Sequence, residues 1–145
     1  MRWTRGRLFA LGVLGACASS PRNTAMVLSP ASVEEPVTDV LIAALDADGR
    51  MAPSDTLWTP DATAIANGAL RYAAPRFAGL APGGDVAITS SRLEVRQSIV
   101  WVTLEYRWLS MKEGTARQGR ATVLLTPRPD GGGWRIIHAH SSVAQ

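Results

Sequence analysis

The stretch that decides the fold runs from Ala116 to Ser142: ARQGRATVLLT (116–126), then PRPDGGG (127–133), then WRIIHAHSS (134–142). The first and last segments are rich in residues typical of strands. The segment between them ends in Pro-Asp-Gly-Gly-Gly, which is strong turn chemistry. The pattern therefore predicts two antiparallel strands joined by a tight connection, the end of a longer meander.

The last of these strands carries both histidines of the chain. Side chains alternate between the two faces of a strand, so residues of one parity share a face. Because each parity includes apolar residues, we expect this strand to be covered on both faces. The prediction puts Trp134, Ile136, His138 and His140 on one face, and Arg135, Ile137, Ala139 and Ser141 on the other.

The N-terminus has the pattern of an export signal. Three arginines precede the short apolar run Leu8–Leu14, which is too short to cross a bilayer of about 30 Å. The sequence Leu14-Gly15-Ala16-Cys17 then resembles a bacterial lipoprotein signal, cleaved before a cysteine that receives the lipid. We expect a signal peptide at 1–16, lipidation at Cys17 and sorting to the outer membrane of the cell envelope. The alternative is ordinary cleavage after Ala18.

Removal of this signal changes the charge of the chain. The full sequence has 15 basic and 12 acidic residues, and the signal holds three of the basic ones, Arg2, Arg5 and Arg7, with no acid. The mature chain therefore has 12 of each, which removes the support for nucleic-acid binding through a basic surface. The acids concentrate before residue 62 and the bases after it, which favours charge complementarity between two layers or, alternatively, an anion site.

The chain after the signal divides into a tether at 17–32 and one domain at 33–143. Apolar residues at helical spacing over 37–45 predict an amphipathic helix, with Asp39, Asp46 and Asp48 placed off its apolar stripe. A second short helix is expected at 53–58 and a short strand at 63–67, followed by an irregular loop at 69–85. Three long strands are expected at 86–96, 98–109 and 116–126, before the final strand. This order predicts an α+β domain with N-terminal helices on one face of a curved antiparallel sheet.

The motifs of this chain resemble the nuclear transport factor 2-like (SnoaL-like) superfamily, on the branch of the association domain of calcium/calmodulin-dependent protein kinase. Gly-Arg-Ala-Thr at 119–122 and the motif WRIIHAHSS at 134–142 carry the resemblance, with Leu-Trp-Thr-Pro-Asp-Ala at 57–62 and Ile-Ala-Asn-Gly at 65–68 upstream. The resemblance implies a cone-shaped fold over about 33–142 and a homodimer. Its members include isomerases, cyclases, dehydratases, ligand binders and dimerisation modules, so it does not select a function.

The candidate ligand residues are those expected to line the hollow of the cone. Arg120 and Thr122 share a strand face and, with Arg135 and Ser141, could bind a carboxylate. The resemblance implies arginines in such a hollow, one of them near position 122, where this chain has threonine. A structural salt bridge from Arg120 or Arg135 to Glu105 or the acidic helix is the favoured alternative.

The candidate catalytic residues are His138, His140 and Tyr106. The two histidines could act as an acid–base pair, with Tyr106 as a hydrogen-bond donor, but structural roles are favoured. No cysteine or suitably spaced acid completes a metal site, so no metal is expected. No phosphate loop or nucleophile motif is present in the sequence, and no cofactor is expected.

The sequence therefore predicts a lipid-anchored envelope protein whose cone-shaped domain binds a small, partly apolar molecule, forms a homodimer, or does both. A cofactor-free isomerase, cyclase or dehydratase acting in the cone is the alternative. A module that presents a dimer surface to another envelope protein is a third possibility. Pocket volume separates the last from the others, because a filled cone cannot hold a ligand.

Overall fold

A computed structural model describes residues 29–144 of this chain. The predicted signal at 1–16, the lipidation site Cys17 and most of the expected tether lie outside the described residues. The elements are one helix, α1, a short 3₁₀ turn, and six strands, β1 to β6. Their bounds are α1 Pro30–Gly49, the 3₁₀ turn Asp55–Leu57, β1 Trp58–Ala66, β2 Ala69–Arg71, β3 Asp85–Arg96, β4 Ile99–Ser110, β5 Thr115–Pro127 and β6 Trp134–Val143.

Helix α1 follows the predicted amphipathic pattern, with one correction. Pro30 stands in the first turn, where the missing N–H has no intrahelical partner to lose. The buried stripe is apolar except near its C-terminal end, where Asp48 is fully buried. The prediction that Asp48 lies off the stripe is therefore wrong, because Leu41, Leu45 and Asp48 fall at i, i+4 and i+7 on one helix face.

The six strands form one sheet in the order β2-β1-β6-β5-β4-β3. The long strands β3 to β6 pair antiparallel, as the meander predicted. Strand β1 pairs parallel to β6, so the sheet is mixed rather than wholly antiparallel. The α+β fold class is confirmed, with a helix layer on one face of a curved sheet.

Two expectations for the first part of the domain are corrected. The second helix is only a three-residue 3₁₀ turn, and Trp58 already belongs to β1, which is longer than predicted. The loop expected from residue 69 begins with β2, which returns from β1 through Asn67 and Gly68. Both turn residues have positive φ, as the tight type I′ hairpin requires.

The sheet has two unlike faces. We call the face beneath α1 and the segment 76–81 the inner face; its largest buried side chains include Tyr106 and Trp108 of β4. The opposite face, the outer face, is covered by no element within residues 29–144. Strict alternation along β4 separates the two, since Val102 is buried and Thr103 is exposed. The outer face carries Trp101, Thr103, Glu105, Arg120, Thr122, Leu124, His138 and His140.

Within residues 29–144 no helix has the length and apolar character needed to cross a bilayer.

Candidate functional site

The two histidines lie on the outer face, opposite to Trp134 and Ile136. The register of β5 and β6 shifts between Leu124 and Leu125, whose partners are His138 and Ile136, so Ile137 is an extra residue in β6. Such a bulge reverses the parity of every later residue. The predicted common face of Trp134, Ile136, His138 and His140 is therefore wrong. Ala139 and Ser141 are buried on the inner face instead.

Tyr106 lies in the core, where it fixes the segment above the sheet. Its hydroxyl donates to the Ala78 carbonyl at 2.6 Å, and burial raises the pKa of that hydroxyl above its ordinary value. The ring crosses Gly119 on β5, where an added Cβ would lie 2.2 Å from the Tyr106 Cζ atom. Glycine at this position is therefore required for the tyrosine to lie flat. Tyr106 and the histidines face opposite sides of the sheet and do not form one site.

Ser141 belongs to the same buried network. Its hydroxyl accepts a hydrogen bond from the Ala78 N–H at 2.9 Å and donates to the Ile65 carbonyl at 3.4 Å. The side chain thereby joins the final strand, β1 and the covering segment. Its observed contacts are structural ones.

Asp48 is a buried carboxylate that the sequence interpretation missed. Its Oδ2 atom accepts hydrogen bonds from the N–H groups of Arg76 at 2.5 Å and Phe77 at 2.7 Å. Burial raises the pKa of this carboxyl to about 6, against the opposing effects of these hydrogen bonds and the Arg76 charge. The spacing from Leu41 and Leu45 was the signal that could have revealed it. Asp48 fixes the segment that fills the cone.

The interior of the cone is filled by side chains. Phe77 packs between Trp58 and Tyr106, with ring centroids 5.9 Å and 6.1 Å away, and is 1% exposed. Trp108 closes the other side by donating its indole N–H to the Ala81 carbonyl at 2.8 Å. The two clefts described below lie outside this packed interior.

The first cleft, here called the outer cleft, is a trough of about 560 Å³ on the outer face, crossing β3 to β6. Arg120 and Thr122 lie in it beside His140, which pairs directly with Thr122. The Arg120 guanidinium forms an ion pair with Glu105 at 2.9 Å, and both side chains are at least half exposed. Arg120 is thus already engaged by a carboxylate of its own chain.

The second cleft, here called the edge cleft, also measures about 560 Å³ and lies where β1 and β2 diverge. Arg76 forms one wall: its guanidinium stacks over the Trp58 ring at 4.9 Å and binds Asp55 at 2.6 Å. The same group donates to the Tyr72 carbonyl at 3.0 Å. The cleft is lined by Asp55, Thr56, Trp58, Thr59, Pro60, Ala62, Ala64, Arg71, Tyr72, Arg76 and Arg135.

Three of the four predicted ligand residues line one cleft, and the fourth lies elsewhere. Arg120, Thr122 and Ser141 line the outer cleft, whereas Arg135 lines the edge cleft. The Ser141 side chain lies in the core. Arg135 is separated from Ser141, which has the same parity, because the bulge at Ile137 places the two residues on different faces. Binding of a carboxylate by these four residues stays a prediction.

No group of three or more potential metal-ligating side chains occurs in the part of the chain that the structure describes.

Comparison with known proteins identifies the family. The SnoaL-like domain family matches residues 41–145. No curated protein sequence matches this chain. Similar solved structures include three that share 14–16% identity with it and therefore show the fold alone.

The first of these is a nuclear transport factor 2-like superfamily protein from Salmonella enterica, with 14% identity, coverage of 81% of this chain and 94% of that one, and a TM-score of 0.56. The second is the association domain of C. elegans CaMKII. It shares 16% identity with this chain, the match covers 77% of this chain and 96% of that one, and the TM-score is 0.58. The third is a candidate ketosteroid isomerase from Parabacteroides distasonis. It shares 15% identity with this chain, the match covers 85% of this chain and 93% of that one, and the TM-score is 0.55. With its helix-covered curved sheet and the match over 41–145, this chain belongs to the SnoaL-like domain family and has the nuclear transport factor 2-like fold.

Proposed function

We propose that this chain is a lipid-anchored protein of the bacterial envelope whose SnoaL-like domain forms a homodimer through its outer face. The observation that carries the dimer is the large apolar surface left on that face. Trp101 is 44% exposed and Ile99 is 38% exposed, although both belong to β4, which has a neighbouring strand on each side. Large apolar side chains at the centre of an uncovered sheet face are typical of protein–protein interfaces.

The cross-strand registers arrange this surface in rows. Trp101 pairs with Leu124 of β5, which pairs with His138 of β6, so three large side chains cross the middle of the face. The next rows carry Thr103 with Thr122, and Glu105 with Arg120. Apolar groups thus have polar groups beside them, as in the core and rim of an interface.

The charges on this face suit a second copy of the same chain. Glu94 lies between Arg92 and Arg96 at 3.4 Å and 3.1 Å, and Glu105 binds Arg120. In a two-fold interface the same patch meets itself, so a patch holding both signs can be self-complementary. Exposed ion pairs contribute little within one chain and can exchange partners across an interface. The similarity to an association domain supports self-association by analogy only.

The dimer is tested with a matched pair of substitutions. Trp101→Lys places a charge at the centre of the outer face, and Ile42→Lys does the same on α1, where Ile42 is 49% exposed. We expect the unmodified protein and Ile42→Lys to be dimers by analytical ultracentrifugation in detergent, and Trp101→Lys to dissociate at least about tenfold more readily. A monomeric unmodified protein, or loss of the dimer only in Ile42→Lys, would contradict the proposal.

The anchor rests on the sequence Leu14-Gly15-Ala16-Cys17 and on the apolar run before it. In the producing bacterium we expect the intact mass of the protein to correspond to a chain beginning at a lipidated Cys17, recovered with outer membranes. Cys17→Ala should abolish the added mass and the membrane association. A native chain that begins at Ser19 without lipid would show cleavage after Ala18 and overturn the anchor.

A cofactor-free isomerase, cyclase or dehydratase is the alternative that the sequence left open. The geometry gives it little support with the predicted residues, because the Tyr106 hydroxyl is bound to the Ala78 carbonyl in the core. His140 lies on the opposite face, in the outer cleft. An acid–base pair needs both groups within reach of one substrate.

A further inference from the structure

We infer that the edge cleft binds a small carboxylate with a flat apolar body. This inference does not depend on the dimer, since the cleft lies where β1 and β2 diverge and shares no lining residue with the outer cleft. Its volume of about 560 Å³ is within the usual range for small-molecule sites.

Three polar atoms without hydrogen-bond partners are the main evidence for a ligand in the edge cleft. The Trp58 indole Nε1, the Thr59 Oγ1 and the Arg135 Nε are all buried, and none of them has a hydrogen-bond partner within residues 29–144. All three residues line the edge cleft. Trp58 is only 4% exposed, so its unmet N–H is costly. Three residues that line one cleft thus each hold a polar atom with an unmet hydrogen bond, and we take the missing partner to be a molecule bound in that cleft.

The kinds of donor define that partner. The indole N–H and the guanidinium N–H can only donate, and the threonine hydroxyl can donate as well. The partner must therefore supply acceptor atoms, at least two of them. A carboxylate offers two oxygens with about four acceptor positions and matches the fork of an arginine side chain.

The charge around the cleft favours an anion. Of its lining residues, three are arginines and one is an acid, Asp55, which Arg76 already binds. In the described part of the chain, Arg71 and Arg135 take part in no salt bridge and make no side-chain hydrogen bond. An anion would be the first charged partner of either group.

The rest of the lining favours an apolar body. Pro60, Ala62 and Ala64 of β1 provide small apolar contacts, and Tyr72 presents a ring that is 83% exposed. The Trp58 ring, held by Arg76, adds an ordered aromatic surface. A flat apolar group would fit these surfaces while its carboxylate meets the donors.

The Trp58 indole N–H provides a direct readout. In the ¹⁵N-labelled protein its resonance is assigned with Trp58→Phe and followed while sodium benzoate, benzamide or inorganic phosphate is added. We expect benzoate to move this resonance downfield and saturably, because a hydrogen bond to a carboxylate deshields the proton. Benzamide, the neutral isostere, should bind at least about tenfold more weakly.

Substitutions then test the arginines. Arg135→Gln and Arg71→Gln should each weaken benzoate binding, the first by about tenfold or more because it removes a buried donor with its charge. Arg71 is exposed, so Arg71→Gln keeps the test valid if Arg135→Gln fails to fold. The matched control is Arg50→Gln, an exposed arginine at the end of α1 that is paired with Asp46, and it should bind benzoate as the unmodified protein does.

Four results would overturn the inference. Absence of any shift of the Trp58 indole resonance at up to about 50 mM benzoate would show that no carboxylate reaches this donor. Equal binding of benzamide and benzoate would show that the cleft does not select a negative charge. Tighter binding of phosphate than of benzoate would overturn the carboxylate assignment. Undiminished benzoate binding in both arginine variants would place the site elsewhere.

Discussion

Asp48 shows how one residue can link a helix to the loop that fills the cone. Its carboxylate accepts two backbone N–H groups from 76–77, and its other oxygen, Oδ1, has no partner within residues 29–144. The residue also lies at the C-terminal end of α1, where the helix dipole disfavours a negative charge. Burial of the carboxyl, opposed by these hydrogen bonds and by the Arg76 charge, raises its pKa from 3.8 to about 6 in the folded protein.

This shift predicts a pH-dependent stability. The folded pKa is above the unfolded one, so Asp48 contributes most to stability below pH 3.8, and the contribution is lost as the pH rises through about 6. Relative to Asp48→Asn, the free energy of unfolding of the unmodified protein should fall by about 3 kcal/mol at most between acid and neutral pH. Urea denaturation of both proteins from pH 4 to 7.5 measures this difference.

The comparison with Asp48→Asn isolates the residue, because every other titrating group is common to the two proteins. Asparagine retains a side-chain oxygen that can accept the N–H groups of Arg76 and Phe77. Parallel stability profiles for the two proteins would show that the buried carboxyl keeps its ordinary pKa.

At the scale of the element, β4 determines which side of the sheet becomes core. Its residues alternate without interruption between buried and exposed over Ile99–Trp108. In β6 the extra residue Ile137 breaks the alternation, so the strand presents Trp134 and Ile136, then Ala139 and Ser141, to the same inner face. A regular strand and a bulged strand can thus share one core.

Reciprocal substitutions in β4 test the assignment of its faces. Val102→Thr buries a hydroxyl on the inner face and should lower the free energy of unfolding by about 1–3 kcal/mol. Thr103→Val, its neighbour on the outer face, changes the same atoms in the opposite sense and should alter stability by less than about 0.5 kcal/mol. Both values come from urea denaturation at constant protein concentration. A larger cost for Thr103→Val would indicate that the faces are reversed.

For the whole molecule, the two proposed surfaces lie in different parts of the sheet. The outer face centres on Trp101 of β4, while the edge cleft lies at β1 and β2, at the other end of the strand order. Helix α1 and the segment 76–81 form a filled layer on the inner face. The domain can therefore associate through one surface and bind a ligand at the other.

This separation predicts independent behaviour. Trp101→Lys should weaken the dimer and leave the affinity of the edge cleft for benzoate within about twofold, because the substituted residue does not line that cleft. Arg71→Gln should weaken benzoate binding and leave the dissociation constant of the dimer unchanged. Ultracentrifugation and the Trp58 indole resonance measure the two effects on the same samples. A change of more than about fivefold in benzoate affinity on dissociation would show that the surfaces are coupled.

The sequence by itself determined the elements that local patterns encode. Helical spacing predicted α1, alternation predicted the four long strands, and Pro-Asp-Gly-Gly-Gly predicted the last turn, because each pattern acts within a few residues. The residues of 119–122 and 134–142 were sufficient to predict the family. Alternation along β4 also places Tyr106 on the same face as the buried Val102.

Only the tertiary structure decided which side chains meet. The bulge at Ile137 arises from pairing with β5, so no pattern within β6 alone reveals that His138, His140 and Ser141 change faces. Asp48 is buried because residues 76–77 supply its hydrogen bonds from 28 and 29 positions away. The edge cleft unites Trp58 with Arg135 because β1 pairs with β6 across the sheet. Long-range pairing, which local patterns do not encode, selected the candidate site.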